Sequence, residues 1–311
     1  MSQELKGHYD VIIIGGGPAG LTAGLYTSRA RLQTLLIETG LFGGQMTTTE
    51  LIENYPGFPE GVSGEELSRL MEEQAKRFGL ETLTDEVVEV HLEGDLRKVK
   101  TYGGEFRCRA LIICTGTEYR KLGVPGEEEF KGRGLSYCAT CDGAFFKDSR
   151  VAVVGGGDSA LTEALFLTKF VNELLLIHRR DALRATKIYQ ERAMSHPKIR
   201  FVWNSVVEEI KGDQVVRSVR VRDVKTGESK EIPIDGIFLF IGLVPRTTFL
   251  KGLVEMDEAG YILTDENCQT SVEGVFAAGD CRRKLLRQIA TAVGDGATAA
   301  FAAEKYLEEA R

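Results

Sequence analysis

The chain has 311 residues, 43% hydrophobic and 27% charged, enough for about two domains with separate cores. Its formal net charge of −7 argues against a nucleic-acid partner, which calls for a basic face, and no run of about 18 apolar residues is present to make a transmembrane helix. The segment Met1–Asp10 is polar and Val11–Ile14 is too short for a secretory signal, so the expected location is the cytoplasm, with no membrane partner.

Tyr9–Ile14 reads as a buried parallel strand that ends in Gly15-Gly16-Gly17-Pro18-Ala19-Gly20. A helix is expected from Pro18 to about Arg31, then a strand over Leu35–Ile37 closing with Glu38, which completes a βαβ unit. Gly15, Gly17 and Gly20 match the dinucleotide fingerprint. The first glycine serves the tight turn, the second lets backbone approach a pyrophosphate, and the third lets helix pack on strand. Glu38 follows at the expected distance of about 20 residues, where a carboxylate accepts hydrogen bonds from a ribose and repels a 2′-phosphate.

A strand over Leu111–Cys114, followed by Thr115-Gly116, ends the first section. Next comes Tyr137-Cys138-Ala139-Thr140-Cys141-Asp142-Gly143. Two cysteines at this spacing close a readily exchanged disulfide, and Asp142 is placed to act as general acid or base during thiol exchange. Half a zinc site is the alternative, but no second cysteine pair or paired histidines complete it, so no metal is expected.

The βαβ pattern then recurs, with a strand over Val151–Val154, a helix from Asp158 to about Phe170 and a strand over Leu174–Ile177. Gly155, Gly157 and Ala160 give the alanine variant of the fingerprint, with Asp158 and Ser159 opening the helix. Where the first unit has Glu38, this one has His178-Arg179-Arg180 and then Arg184, guanidinium groups suited to a 2′-phosphate. The contrast points to FAD at the first site and NADPH at the second. A strand over Ile237–Ile241, followed by Gly242, closes the second section, and the proline-containing stretches at Pro125 and Pro245 read as linkers. Val275–Ala278 is a further strand leading to Gly279-Asp280, and Arg287–Glu309 is largely helical. The expected fold class is α/β, two Rossmann-like dinucleotide-binding domains with the second inserted into the first: residues 1–117 and 246–311 form an FAD domain, and 118–245 form an NADPH domain carrying the cysteine pair. Cys108 and Cys114 read as core residues, Cys268 has no assigned role, and for Cys281, beside Asp280, packing is favoured over flavin chemistry.

Together with Gly43-Gly44-Gln45, Glu53-Asn54-Tyr55-Pro56-Gly57 and Arg287-Gln288, these motifs in this order resemble thioredoxin reductase of the low-molecular-weight type over essentially the full length. The resemblance implies FAD contacts at Gly15, Gly17, Pro18, Ala19, Gly20, Glu38, Gly43, Gly44, Gln45, Asn54, Val87, Thr115, Gly116, Gly279, Asp280, Arg287, Gln288 and Ile289. It implies NADPH contacts at Gly155, Gly157, Asp158, Ser159, Ala160, His178, Arg179, Arg180, Arg184 and Gly242. It further implies that Cys141 faces the flavin, that Cys138 exchanges with a thioredoxin-like protein, and that the active form is a homodimer. The chain departs from the family at Thr162, where an acid is common, and at Cys281, where an aliphatic residue is common. Nicotinamide and disulfide ride on one inserted domain, so a rotation of that domain about its linkers is expected. The competing readings are an NADPH-dependent flavoprotein serving another disulfide acceptor, such as a glutaredoxin-like protein or a peroxiredoxin partner, and a non-catalytic flavin redox sensor.

Overall fold

Two runs of β-branched and leucine residues, each ending in glycines, seed the two sheets of the computed structural model, which describes residues 7–49 and 51–309. The chain divides into two compact units, one of residues 1–118 and 244–311, the other of residues 119–243.

The larger unit opens with β1 (His8–Ile14), α1 (Pro18–Arg29) and β2 (Thr34–Glu38). α1 stops short of the expected Arg31 because Ala30 caps it and Arg31 takes a left-handed φ of 62°. Then follow α2 (Gly64–Lys76), β3 (Glu81–Thr84), β4 (Val87–Glu93), β5 (Leu96–Thr101) and β6 (Glu105–Ile113). β7 (Thr117–Tyr119) is the outward crossing into the second unit.

The second unit begins with β8 (Leu135–Ser136) and a single helical turn, α3 (Ala139–Asp142). Its βαβ core is β9 (Arg150–Gly155), α4 (Asp158–Leu167) and β10 (Glu173–Ile177), followed by α5 (Lys187–Ser195) and β11 (Ile199–Val202). A three-stranded antiparallel meander comes next, β12 (Ser205–Gly212), β13 (Val216–Asp223) and β14 (Ser229–Pro233), and then β15 (Gly236–Phe240). The return crossing, β16 (Leu243–Pro245), pairs with β7. β17 (Val275–Ala277) and α6 (Ile289–Glu309) finish the first unit.

In the first sheet the order is β3-β2-β1-β6-β5-β4, with β17 also on β6. Strands β3, β2, β1, β6 and β17 run parallel, and β4 and β5 are antiparallel additions. The second sheet, β11-β10-β9-β15-β8, is parallel throughout. Helices cover such sheets, so the strands read as continuous apolar runs, and Val151–Val154 and Gly236–Phe240 are buried at every position. Phe238 and Phe276 are the largest fully buried side chains of their respective sheets, and truncating either to alanine would cost about 3–5 kcal/mol. Each glycine turn lies at the carboxyl end of its sheet, where doubly wound folds place their ligands.

Candidate active site

In the first unit the glycine turn is held by contacts that admit no side chain. A Cβ on Gly20 would lie 1.8 Å from the Gly15 carbonyl oxygen, and one on Gly15 would lie 2.3 Å from the Cys114 oxygen. α1 therefore packs directly on the strand ends, with Pro18 at its first turn and Ala19 buried. Gly17 differs: an added Cβ would meet only the Gly43 oxygen, at 4.0 Å. Protein packing does not demand glycine there, but a ligand brought against the backbone would.

Glu38 closes the turn from the end of β2. Its Oε2 accepts the Gly16 N–H at 2.6 Å, and its Oε1 accepts the Gly40 N–H and the Thr39 hydroxyl, each at 3.0 Å. The carboxylate keeps lone pairs for a further donor while being fixed by the backbone. A cavity of about 570 Å³ opens beside it, lined by Gly15, Glu38, Val87 and Thr115 and by the 244–260 segment.

Other expected residues converge on the same unit. Gly43 N–H donates to the Gly16 carbonyl at 2.7 Å, and Gly44 lies against Gly17. The Gln45 amide donates to the Thr117 carbonyl and to its hydroxyl. Asn54 Nδ2 donates to Gln288 Oε1 at 3.0 Å, and Ile289 packs on the cluster of Met46, Ile52, Val62 and Leu67. The Gly116 carbonyl accepts the Arg246 N–H at 3.1 Å. Gly279 N–H donates to Asp295 Oδ2 at 3.0 Å, and that carboxylate also pairs with Arg282 at 2.9 Å and Lys284 at 2.7 Å. Asp295 thus fixes the Gly279-Asp280 turn, a role no motif in the sequence announces. Two buried atoms beside it have no partner: Asp280 Oδ1 and Arg287 Nε. Burial pushes the Asp280 carboxyl up, against the pull of Lys284 and Arg287. Buried polar groups are ordinarily paired, so these two atoms fit a polar ligand that completes them. The Arg287 guanidinium stacks on the Tyr261 ring, 4.0 Å from its centroid, and the cavity, the open face at Gly17 and the unsatisfied Asp280 Oδ1 and Arg287 Nε suit an extended dinucleotide such as FAD.

Four thiols share this unit, and all are buried. Burial pushes Cys108 up to about 12 and Cys268 and Cys281 up to about 11, and it pushes Cys114 up as well. Cys281 donates to the Ala278 carbonyl at 3.3 Å and the Ile113 carbonyl at 3.4 Å. All four are core thiols with no tendency to ionise near neutral pH.

In the second unit the turn is built alike, with a different third position. A Cβ on Gly155 would meet the Cβ of Ala160 at 2.6 Å, while one on Gly157 would meet nothing within 4 Å. The loop after β10 folds back over the turn: Arg184 and Ala185 N–H both donate to the Gly156 carbonyl, at 2.7 and 3.2 Å. The Asp158 carboxylate holds the same loop, accepting the Thr186 N–H at 2.5 Å and its hydroxyl at 3.1 Å. Arg179, Arg180 and Arg184 are exposed at this end, as is Ser159. His178 is buried instead, its ring where a Cβ on Gly156 would fall and its Nε2 3.1 Å from the Ala182 carbonyl oxygen. Burial lowers its pKa, and the Arg184 and Arg179 charges lower it further. The charge on offer is that of the three arginines, and with the open face at Gly157 it suits a nucleotide bearing an extra phosphate. Gly242 lies where the return crossing begins, its carbonyl accepting the Arg120 N–H at 2.9 Å.

Cys138 and Cys141 form a disulfide across α3, with their Cα atoms 5.4 Å apart. Cys141 is exposed, and Cys138 and Asp142 are partly buried. Cys138 occupies the helix cap, where its sulfur accepts the Cys141 N–H at 3.1 Å. The Ala139 N–H donates to Glu163 Oε2 on α4 at 3.0 Å. Glu163 carries no motif that marks it in the sequence; it stands one residue after Thr162, where the family commonly has an acid. Burial pushes its pKa up to about 7, against the lowering effect of the Ala139 and Thr140 N–H groups.

Among the described residues, no cluster of three or more histidine, cysteine or acidic side chains is arranged to hold a metal, and no helix is long and apolar enough to cross a membrane.

The sequence pattern of the pyridine nucleotide-disulphide oxidoreductases matches residues 9–296. The chain is 51% identical to a thioredoxin reductase of Bacillus subtilis, covering 97% of this chain and 95% of that one. It is 49% identical to one of Peptoclostridium acidaminophilum, covering 96% and 97%. The crystal structure of Lactococcus lactis thioredoxin reductase superposes with a TM-score of 0.95 at 50% identity, covering 97% of this chain and 99% of that one. Two Rossmann-like units, one inserted in the other and carrying a cysteine pair, together with these likenesses, place the chain among the low-molecular-weight thioredoxin reductases of the pyridine nucleotide-disulphide oxidoreductase family.

Proposed function

We propose that this protein is an NADPH-dependent flavoprotein that reduces the disulfide of thioredoxin or a thioredoxin-like protein through Cys138 and Cys141. The observation that carries the reading is a division of labour. One unit has an acid-closed glycine turn beside a large cavity, and the other has an arginine-rimmed turn together with the disulfide. When bound, FAD and NADPH supply the hydride and electron-transfer chemistry that delivers two electrons to that disulfide.

The chain's own residues do the rest. Arg179, Arg180 and Arg184 hold the 2′-phosphate, and the backbone from Gly157 to Ala160 faces the pyrophosphate at the start of α4. Glu38 holds the flavin-side ribose, and Asp280 and Arg287 meet the polar atoms of the same cofactor. Once the pair is open, one thiolate attacks the partner's disulfide, forming a mixed disulfide and releasing one partner thiolate. The second cysteine then displaces the other, restoring Cys138–Cys141 and leaving the partner as a dithiol. Asp142, next to Cys141, is placed to carry the proton. Family likeness gives the exchange to Cys138, whereas Cys141 is the more exposed residue here. Serine at the resolving position traps the mixed disulfide, so the Cys138→Ser and Cys141→Ser variants separate the two assignments.

Both the arginine-rimmed turn and the cysteine pair belong to the inserted unit, so that unit turns on the paired crossings β7 and β16 to serve one flavin. The same likeness supports a homodimer working in the cytoplasm.

The test is NADPH-driven reduction of thioredoxin by the purified protein, with NADH and Cys141→Ser run alongside. Turnover with NADPH, weak turnover with NADH and none in the variant are the expected results. Flavin reduction without thioredoxin turnover would move the reading to another disulfide acceptor, and absence of both would favour a sensor.

A further inference from the structure

Glu163 lies on the helix whose amino end forms the second glycine turn, and its carboxylate reaches the cysteine pair. The single turn α3 has few amide donors, and each has an assignable partner. The Cys141 N–H goes to Cys138 Sγ at 3.1 Å and the Asp142 N–H to the Cys138 carbonyl at 3.2 Å. The Ala139 N–H goes to Glu163 Oε2 at 3.0 Å, and the Thr140 N–H is drawn to the same carboxylate. A serine, threonine or aspartate usually supplies such a cap from within the helix, but here the cap position is Cys138 itself. An acid from a different element therefore completes the turn.

We propose that Glu163 is a positioning residue for the redox pair: it anchors the Cys138–Cys141 turn through Ala139 and, when ionised, sets negative charge beside it that makes the thiolate of the opened pair less stable. Two electrons and one proton open the disulfide to one thiol and one thiolate. Free backbone amides favour a nearby thiolate, and a carboxylate on the Ala139 and Thr140 amides takes that stabilisation for itself. A pair that resists ionisation is a less stable reduced form and hence a stronger reductant. The groups acting on the carboxylate are the Ala139 and Thr140 amides from α3 and, from β7, the Tyr119 phenol, which burial and the Glu163 charge push up to about 12. It is held by backbone amides rather than by a cation.

The inference rests on the reading of Cys138 and Cys141 as the redox pair, but its test needs neither nucleotide nor partner. The full-length protein is reduced with dithiothreitol, freed of reductant, and alkylated with iodoacetamide from pH 5 to 10. The four buried thiols stay out of reach. In Glu163→Gln, whose amide oxygen still accepts the Ala139 N–H, the reactive thiol should titrate about one unit lower. At pH 6, where native Glu163 is mostly protonated and neutral, the two proteins should alkylate at nearly the same rate, and the profiles should separate only as pH rises past 7. A folded Glu163→Gln protein with an unchanged profile overturns the proposal. Should the variant not fold, Glu163→Asp decides: its shorter carboxylate draws back from the Ala139 N–H, so a lowered thiol midpoint supports the proposal and an unchanged one overturns it. Failure to turn over NADPH with intact alkylation behaviour would count against the proposed function alone.

Discussion

The two glycine turns are built on one plan and diverge at two points. At the third fingerprint position, Gly20 touches the Gly15 carbonyl, whereas Ala160 has room for its methyl against Gly155. At the end of the following strand, Glu38 turns back to close its own loop, whereas His178 is buried and leaves Arg179 and Arg180 in solvent. The first difference concerns how tightly helix meets strand, and so concerns stability. The second changes the charge offered at the strand end, which under the proposed function decides which ribose each site accepts. A shared motif can therefore carry different chemistry when the residue after the second strand changes sign.

The largest effect should come from the packing difference. Gly20→Ala forces a methyl to within 1.8 Å of a carbonyl oxygen, which should cost about 3 kcal/mol or more and remove flavin from the purified protein. The reverse change in the other unit, Ala160→Gly, should cost only about 1 kcal/mol and leave flavin content unchanged. Thermal unfolding followed by flavin fluorescence compares them, and equal effects would break the distinction.

Next comes the charge difference. Arg179→Gln with Arg180→Gln should lower kcat/KM for NADPH by about 100-fold, as expected for losing charge-assisted hydrogen bonds worth about 3 kcal/mol. The value for NADH should move by less than about threefold. Parallel loss with both nucleotides would show that these arginines support the fold rather than read the phosphate.

Smaller, and of opposite sign in pH, are the shifts of Glu163 and His178 in the inserted unit. The folded pKa of Glu163 is raised to about 7, so the native state binds its proton more tightly than the unfolded chain. Its contribution is complete below the ordinary carboxylate range and is lost as pH rises towards 7. His178 has a lowered folded pKa, so its contribution is present above about 6.5 and shrinks as pH falls. Denaturant titrations of native and Glu163→Gln proteins from pH 4 to 8 should therefore differ by a gap that changes by about 1–3 kcal/mol across that window. A gap independent of pH would mean that Glu163 is an ordinary exposed acid.

Much of this was legible because its signals are local. Each fingerprint is a strand, a glycine run and a helix start, and Cys138 and Cys141 are neighbours on one helical turn. The strand cores Val11–Ile14, Val151–Val154 and Ile237–Phe240 announce themselves as apolar runs. What escaped depends on contacts between segments distant in sequence. Glu163 reaches Ala139 from 24 positions away, and Asp295 reaches Gly279 from 16, with no local pattern to mark either. The meander β12–β14 lacks the glycine-terminated apolar run of the parallel strands, and only the alternation in Val216-Arg217-Ser218-Val219-Arg220-Val221 marks it. The helix ends were overestimated at Arg31 and Phe170, since apolar periodicity continues past the residues that terminate α1 and α4. His178 reads from sequence as part of a phosphate site, and only the fold shows its ring under Gly156.

The most direct test of the relay is a single turnover. One equivalent of NADPH is added without oxygen to the FAD-loaded protein, which is then quenched in acid, alkylated and weighed by peptide mass spectrometry. Cys138 and Cys141 should both become alkylated, and neither should when NADPH is omitted. Bleaching of the flavin with Cys138–Cys141 still joined would contradict the relay.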